Sequence, residues 1–215
     1  MATSEEYTII GIEPGPPGRV RIHLAGAAPV ELGADLAAAA GLTAGVRLAE
    51  ERLAPLRAAD ERRRATDYVL RLLARRPHSR GEVRRALLRR GFAESTVDDV
   101  LAHLIRTGSL DDAAFARAWV EQRTGGRRPM GPDRLAAELR QKRVAPDFTR
   151  EAVAAVDPER ELALARQVAR ARATAYQHEP ASAARRKLGA VLRRRGFTWD
   201  VIRQVLTEIL GEDEG

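Results

Sequence analysis

Two similar stretches of sequence lie far apart in this chain: LLRRGFAESTVDDVL at residues 87–101 and LRRRGFTWDVIRQVL at residues 192–206. When they are aligned on Gly91 and Gly196, a third and more divergent copy falls halfway between them, with Arg143 in place of the glycine. The three anchor positions are separated by 52 and 53 residues. A nearly constant spacing of this size indicates a tandem structural repeat.

Apolar residues recur at the same offsets from the anchor in all three copies: eight and four positions before it, and one, ten and thirteen positions after it. The matched residues are Val83, Leu87, Phe92, Leu101 and Leu104; then Leu135, Leu139, Val144, Val153 and Val156; and then Leu188, Leu192, Phe197, Leu206 and Ile209. Such spacings predict two amphipathic helices joined by a tight turn. Because glycine supplies the left-handed backbone that ends a helix, we expect the turn at Arg143 to be strained or differently shaped.

A further segment with helical periodicity precedes each copy, namely TDYVLRLLARR, LDDAAFARAWVEQR and ERELALARQVARARATAY. Ser79 and Glu82 have the spacing of a capping box, which predicts a helix start between the first two helices of the first copy. The repeated unit is therefore a helix-turn-helix-like group of three helices. We expect the three units to occupy residues 63–107, 108–156 and 157–215 and to stabilise one another by stacking.

Residues 1–62 differ from the rest of the chain and predict a small α+β module with a connector. YTIIGIE at residues 7–13 and RVRIHL at residues 19–24 are rich in β-branched residues and are separated by PGPPG, a turn composition. Pro29–Leu32 could add a third strand, and ADLAAAAGL predicts a short helix ended by Gly41. The predicted fold class is therefore mainly α, with a small N-terminal module that contains a sheet.

The composition indicates an anionic partner. The chain has 215 residues with a formal net charge of +7, and all but two of its 37 basic residues are arginines, the exceptions being Lys142 and Lys187. Arginine forks suit phosphates and carboxylates, although codon bias in a GC-rich genome would give the same preference. The absence of cysteine excludes disulfides and thiolate chemistry. No apolar run approaches the length of a membrane helix, so we expect a soluble, cytoplasmic protein. We also expect a monomer.

The residue patterns that would indicate catalysis are missing. The four histidines are scattered without a metal-ligand partner three or four residues away. Asp111 and Asp112 are neighbours on a helix and point about 100° apart, so they suit a helix start better than an acid–base pair. GIEPGPPGR lacks the residues of a phosphate loop. We therefore expect no enzyme, no cofactor and no metal site.

Basic residues cluster on the second helix of each repeat, opposite its apolar stripe. The candidates for contact with nucleic acid or with an acidic protein groove are Arg84, Arg85, Arg89, Arg90, Arg127, Arg128, Arg140, Lys142, Arg143, Arg186, Lys187, Arg193 and Arg194. Two alternatives remain open: a solvated face that keeps the bundle soluble, and cations that stabilise helix ends. Asn and Gln are scarce on these helices, which disfavours sequence-specific DNA recognition.

One set of residues in the second repeat carries a family resemblance: Leu110, Asp111, Phe115, Ala116, Trp119, Arg123, Gly131, Leu139 and Lys142. Together with three such repeats, over roughly residues 63–210, this set resembles the RecX family, regulators of the RecA recombinase. Arg143 departs from the glycine that the family usually has at its position. We expect Phe115 and Trp119, four residues apart on one helix face, to belong to the core rather than to a base-stacking platform.

The resemblance implies an elongated, curved array of repeats that lies in the groove of the RecA–DNA filament. It implies inhibition of filament extension, ATP hydrolysis and strand exchange, and hence a role in DNA recombination, repair and the SOS response. Contact with single- or double-stranded DNA, without sequence specificity, is consistent with the charge. The alternative is a non-specific nucleic-acid-binding repeat protein without a recombinase partner.

Overall fold

The computed structural model describes residues 5–211 and is mainly helical, with one small antiparallel sheet. The sheet has the strand order β3-β2-β1-β4, where β1 is Glu6–Pro14, β2 is Arg19–Leu24, β3 is Val30–Gly33 and β4 is Arg47–Ala49. A short helix α1, Ala34–Ala39, follows β3. The first three strands confirm the prediction from β-branched composition, whereas β4 was not predicted.

The helices follow the predicted three-helix pattern. The first repeat contains α2 (Glu50–Leu73), α3 (Arg80–Arg89) and α4 (Glu94–Arg106); the second contains α5 (Asp112–Thr124), α6 (Pro132–Gln141) and α7 (Pro146–Ala154); the third contains α8 (Pro158–Ala173), a 3₁₀ turn (Thr174–Tyr176), α9 (Ala181–Arg194) and α10 (Trp199–Leu210). The predicted capping box is present, since Glu82 N donates to Ser79 Oγ at 3.1 Å and Ser79 N donates to a Glu82 carboxylate oxygen at 3.2 Å.

The chain divides into two units. The first comprises residues 1–76 and 84–104, and the second comprises residues 77–83 and 105–215. In the first unit, the sheet packs its apolar face around Ile9, Ile22, Leu32 and Leu48, and Leu53 of α2 joins the same cluster. The second unit contains the second and third repeats together with the first turn of α3.

Helix α2 joins the sheet to the first repeat without a break. Its residue Asp60 is buried, and its carboxylate accepts hydrogen bonds from Gly33 N at 2.8 Å and from the Arg19 guanidinium at 3.1 and 2.9 Å. Burial by itself would raise the pKa of Asp60, but the bonds from Arg19 and Gly33 and the nearby arginine charges hold that pKa below its usual value. A carboxylate of α2 thus fastens the sheet to the helical part of the first unit.

The turn after the second helix has the same backbone conformation in all three repeats. Gly91 and Gly196 have φ angles of 84° and 80°, and Arg143 has a φ of 61°. The expected strain at Arg143 is therefore present, while the overall handedness of the turn is kept. A side chain in this region costs roughly 1–2 kcal/mol relative to ordinary backbone.

The turns of the second and third repeats each contact the start of a helix from the preceding repeat. At the turn of the third repeat, Gly131 N donates to the Arg195 carbonyl at 2.9 Å and Asp133 N donates to the Gly196 carbonyl at 3.0 Å. A Cβ added to Gly131 would lie 2.4 Å from the Gly196 oxygen, so this approach requires glycine. The carbonyls at the end of α9 and the N–H groups at the start of α6 thereby satisfy each other.

The turn of the second repeat receives the start of α3 in the equivalent way. Ser79 Oγ donates to the Lys142 carbonyl, and a Cβ on Gly81 would lie 2.2 Å from Arg143 Cβ. Buried Asp112 completes this junction by accepting from Arg80 N at 2.8 Å, and burial raises its pKa. Asp111 caps α5 by accepting from Ala114 N at 2.9 Å, so both acids serve helix starts, as predicted.

Replacing Arg143 with glycine should stabilise the protein. The left-handed backbone would lose its side-chain penalty, and we expect the free energy of unfolding to rise by about 1 kcal/mol, measured by urea denaturation. The reciprocal control is Gly91→Arg, which has open space around its Cβ and should cost a similar amount for conformational reasons alone. An unchanged or reduced stability of Arg143→Gly would contradict the strain.

Removing the carboxylate of Asp60 should destabilise the first unit. Asp60→Ala leaves Arg19 and Gly33 N without their buried partner, and we expect a loss of about 3 kcal/mol in thermal or urea unfolding near neutral pH. In the wild type this contribution is present above the ordinary Asp pKa and is lost as pH falls through the lowered one. Arg63→Ala is the control, because its pair with Asp35 is exposed and should change the stability much less.

Candidate partner and nucleic-acid interface

A pocket of about 630 Å³ in the second unit is lined mainly by arginines. The lining residues are Gln122, Arg123, Gly126, Arg127, Arg128, Met130, Arg134, Arg194 and Arg195. They come from the end of α5, the loop between α5 and α6, the first turn of α6 and the end of α9. We call this feature the arginine pocket.

The junction between the second and third repeats builds the arginine pocket. The contact of Gly131 with the Gly196 turn brings the start of α6 against the end of α9. Arg134 strengthens this contact by donating from its guanidinium to the Arg194 carbonyl at 3.1 Å. Met130 N donates to the Arg123 carbonyl at 3.2 Å and fixes the preceding loop. The pocket therefore depends on the same turn that stacks the repeats.

The charge of the arginine pocket is only partly compensated. Glu138 lies 3.3 Å from Arg123 and 3.5 Å from Arg134. Within residues 5–211, by contrast, the guanidinium groups of Arg127, Arg128, Arg194 and Arg195 have no carboxylate partner.

Arg195 is affected by these uncompensated positive charges. Its side chain is half-buried, and its pKa is lowered first by burial and then by the positive charges of Arg128, Arg172 and Arg134. Guanidinium groups remain protonated in proteins, so the positive charges stay crowded and would be stabilised by a bound anion. Phosphate or carboxylate oxygens suit such a set of forked donors.

The structure separates the predicted basic residues by their partners. Arg84 pairs with Asp98, Arg90 lies over the ring of Tyr68 at 5.3 Å, and Lys187 pairs with Glu179 at 2.6 Å. Exposed side chains without an ion-pair partner in the described part of the chain are Arg85, Arg89, Arg127, Arg128, Arg140, Arg143, Arg186 and Arg194. Arg193 is exposed and lies over the ring of Trp199 at 5.9 Å.

Lys142 is held inside the second unit. Its ammonium group lies 3.2 Å from a Glu82 carboxylate oxygen and 4.2 Å from the centre of the Trp119 ring. The first contact belongs to the junction between the first turn of α3 and the second repeat, and the second lies within the second repeat. Its charge is thus already partnered, unlike that of Arg143 beside it.

The core prediction for the aromatic pair of α5 is confirmed for Phe115, which is buried with Ala116, Leu135 and Leu139. Trp119 is half-buried and covers this cluster, with its ring stacked on Phe115 at 6.0 Å. The Arg123 guanidinium lies 4.3 Å from the Trp119 ring, and Trp119 Nε1 donates to Glu138 at 3.2 Å. The indole ring and its Nε1 group are therefore both already in contact with protein groups. Leu110, one of the residues that carry the family resemblance, is buried as well.

Sequence reasoning did not single out Arg134, Arg172 or the exposed Trp199. Their positions become informative only after the repeats are stacked, whereas Arg127 and Arg128 were already among the candidate basic residues. Among residues 5–211, no three His, Asp or Glu side chains are grouped as metal ligands would be. No helix in this described range is long and apolar enough to span a bilayer.

Comparison with known families identifies the helical part of the chain. Models of the first, second and third three-helix domains of RecX match residues 65–104, 111–153 and 159–206. A protein named Regulatory protein RecX from Thermobifida fusca is 40% identical over 71% of this chain and 81% of its own length. Its namesake from Prosthecochloris aestuarii is 37% identical over 69% of this chain and 95% of its own length.

Two solved structures share the fold. A crystal structure of regulatory protein RecX aligns with a TM-score of 0.69 and 23% identity, covering 93% of this chain and 98% of the other. The crystal structure of RecX from Lactobacillus salivarius aligns with a TM-score of 0.66 and 20% identity, covering 70% of this chain and 97% of the other.

The two tryptophans should respond differently to truncation. Trp119→Ala removes a ring that packs on Phe115 and contacts Arg123 and Lys142, so we expect it to lower the free energy of unfolding by about 3 kcal/mol. Trp199→Ala is the matched control, because Trp199 is exposed and its loss should change stability by less than about 0.5 kcal/mol. Urea denaturation of both variants measures the difference, and equal stability losses would contradict the core role of Trp119.

Proposed function

The chain belongs to the RecX family, and from this premise we propose that it regulates the RecA recombinase by binding the RecA–DNA filament. Binding slows filament extension, ATP hydrolysis and strand exchange. The protein acts without a chemical step of its own, which agrees with the regulatory names of its relatives. The cytoplasm is the compartment in which such a regulator meets its target.

One observation carries the proposal, namely the arginine pocket at the junction of the second and third repeats. Its unpartnered guanidinium groups suit the regularly spaced phosphates of a DNA backbone or the carboxylates of an acidic protein surface. Such contacts give affinity without reading base sequence. A filament offers both kinds of anion along its length, and a monomer with three repeats in series is suited to contact more than one site on it.

The exposed arginines of the second helices supply a second set of contacts in this proposal. Arg85 and Arg89 belong to the first repeat, Arg140 to the second, and Arg186 and Arg193 to the third. We take the repeats to extend over residues 63–107, 108–156 and 157–215, with the module of residues 1–62 outside the inhibitory part.

The proposal is tested by titrating the full chain into RecA that hydrolyses ATP on single-stranded DNA. We expect hydrolysis to fall at sub-stoichiometric amounts of the protein, while the protein alone hydrolyses nothing. An arginine-pocket variant carrying Arg127→Glu, Arg128→Glu and Arg194→Glu should need about tenfold more protein for the same inhibition, because it loses anion contacts worth roughly 1.4 kcal/mol or more.

The matched control reverses three arginines that already face carboxylates: Arg21 beside Glu31, Arg117 beside Glu151 and Arg150 beside Asp147. It has the same net charge as the pocket variant and should inhibit almost as well as the wild type. A third variant, with Arg85, Arg89 and Arg140 changed to Glu, measures the contribution of the second helices. Circular dichroism confirms that each variant is folded.

Direct binding to single-stranded DNA separates the two candidate functions. The slope of log K against log salt should fall by about 0.7 for each phosphate contact that a variant loses. Salt-dependent DNA binding without any effect on RecA at equimolar protein would favour the alternative, a non-specific nucleic-acid-binding protein. Full inhibition by the pocket variant would locate recognition elsewhere on the repeats.

A further inference from the structure

A second pocket of the second unit lies on the third repeat, between α9 and α10, and differs in chemistry from the arginine pocket. It has a volume of about 790 Å³. Its floor is formed by Gly189, Ile202 and Leu206, and its rim carries Trp199, whose surface is 60% exposed. We call it the α9–α10 groove. A large exposed indole over an aliphatic floor is unusual for a surface that faces only water.

The first repeat shows how the corresponding surface is closed. Arg84 of α3 lies seven positions before the anchor glycine, and its guanidinium pairs with Asp98 of α4 and lies 3.7 Å from Glu94. The two acids stand seven and three positions after the anchor. A long, ion-paired side chain thus bridges the second and third helices of the first repeat on this side.

All three of those positions are different in the third repeat. Gly189 replaces the bridging arginine, Trp199 replaces the acid three after the anchor, and Arg203 replaces the acid seven after it. Glycine within a helix lowers helix stability by roughly 1 kcal/mol relative to alanine, so its presence in α9 needs another explanation. Here it lets the α9 backbone lie close to Leu206, since a Cβ at Gly189 would be only 3.3 Å from Leu206 Cδ1.

The rim of the α9–α10 groove is positively charged. Arg185, Arg186, Arg193 and Arg203 line it, and among residues 5–211 no acidic side chain does. Arg203 pairs with Asp200, whereas Arg186 has no ion-pair partner in the described residues. The charge available to a ligand is therefore positive, around a floor that is apolar.

We propose that the α9–α10 groove binds an acidic amphipathic helical segment of a partner protein. Apolar side chains at positions i, i+3 or i+4, and i+7 of that segment would pack against the exposed ring of Trp199 and along the groove beside Gly189 and Ala190. Aspartate and glutamate on the flanks of the segment would face the rim arginines. Apolar burial supplies affinity in this arrangement, and the rim charges supply selectivity for an acidic sequence.

Two other occupants fit less well. A second copy of the chain would bring the arginine rim of one groove against the same rim of the other in a twofold contact, which is repulsive. Single-stranded nucleic acid could stack a base on Trp199, but its charged backbone gains nothing from the aliphatic floor. An amphipathic acidic helix uses the floor, the ring and the rim together.

The test uses the full chain and a synthetic 15-residue peptide with leucines at helical spacing and glutamates elsewhere. A second peptide has the same leucines and lysines in place of the glutamates. The acidic peptide, labelled with a dye, should bind with a rise in fluorescence anisotropy, and its affinity should fall as salt is added. The basic peptide should bind at least about tenfold more weakly, a difference of roughly 1.4 kcal/mol.

A variant that carries Gly189→Arg, Trp199→Glu and Arg203→Asp gives the third repeat the three residues of the first. It should lose binding of the acidic peptide about tenfold or more while circular dichroism is retained. Trp199→Ala provides a milder second variant, expected to weaken binding without altering the helix. Ile10→Glu, at an equally exposed apolar residue of the sheet, is the control and should bind the peptide as the wild type does.

Three outcomes would overturn the inference. The first is equal binding of the acidic and basic peptides, and the second is undiminished peptide binding by the triple variant. The third is displacement of the bound acidic peptide by an unstructured thymidine oligonucleotide. Self-association in analytical ultracentrifugation that the triple variant abolishes would assign the groove to a second copy instead. The inference is tested apart from the proposed function, because the peptide titration itself contains neither RecA nor DNA, although Arg186 and Arg193 belong to both surfaces. Failure of either one therefore leaves the other standing.

Discussion

The structure depends on a left-handed turn between the second and third helices of a repeat. The carbonyl groups of this turn accept hydrogen bonds from the start of a helix in the preceding repeat. At the third repeat, the carbonyls of Arg194, Arg195 and Gly196 accept from Arg134, Gly131 and Asp133, respectively. The last carbonyls and the first N–H groups of helices lack partners within their own helices. Because one contact satisfies both sets, the repeats can stack through backbone groups without a large apolar interface at this point. The arginine pocket is a consequence of this contact, since it lies where the two helix ends meet.

The elements defined by local spacing could be predicted from the sequence, and those defined by distant partners could not. Apolar offsets around Gly91 and Gly196 gave the helix pairs, and the handedness of the turn followed from glycine. Strand β4 was missed because three residues are too few to show a pattern. Its partner residues, at the N-terminal end of β1, are distant in sequence. The first helix of the first repeat begins well before the predicted connector ends, and the buried bonds of Asp60 to the sheet explain why one continuous helix is favoured there.

The candidate site shows the same division. Sequence indicated the basic helices and the double arginine at 127–128, because composition and repeat position are local properties. It could not distinguish Arg84, which is neutralised by Asp98, from Arg85, which has no carboxylate partner in the described chain. Nor could it bring Arg134 to the end of α9, because that approach depends on Gly131 and Gly196 fitting together in three dimensions. Free positive charge is a property of the folded repeats and not of the arginine count.

The repeats share their buried apolar positions and differ at positions that the core does not constrain. Leu188 and Leu192 keep the apolar positions of Val83 and Leu87, and all four are buried. The neighbouring positions, Arg84 and Gly189, are only partly buried, and the surface beside them is an ion-paired bridge in the first repeat and a groove in the third. A repeat protein can in this way acquire a new binding surface with few substitutions, because fold and recognition reside on different faces of the same helices. The glycine in α9 is then a conformational cost that the packed third repeat can tolerate, since Leu188, Leu192, Phe197 and Ile202 already hold its helices together.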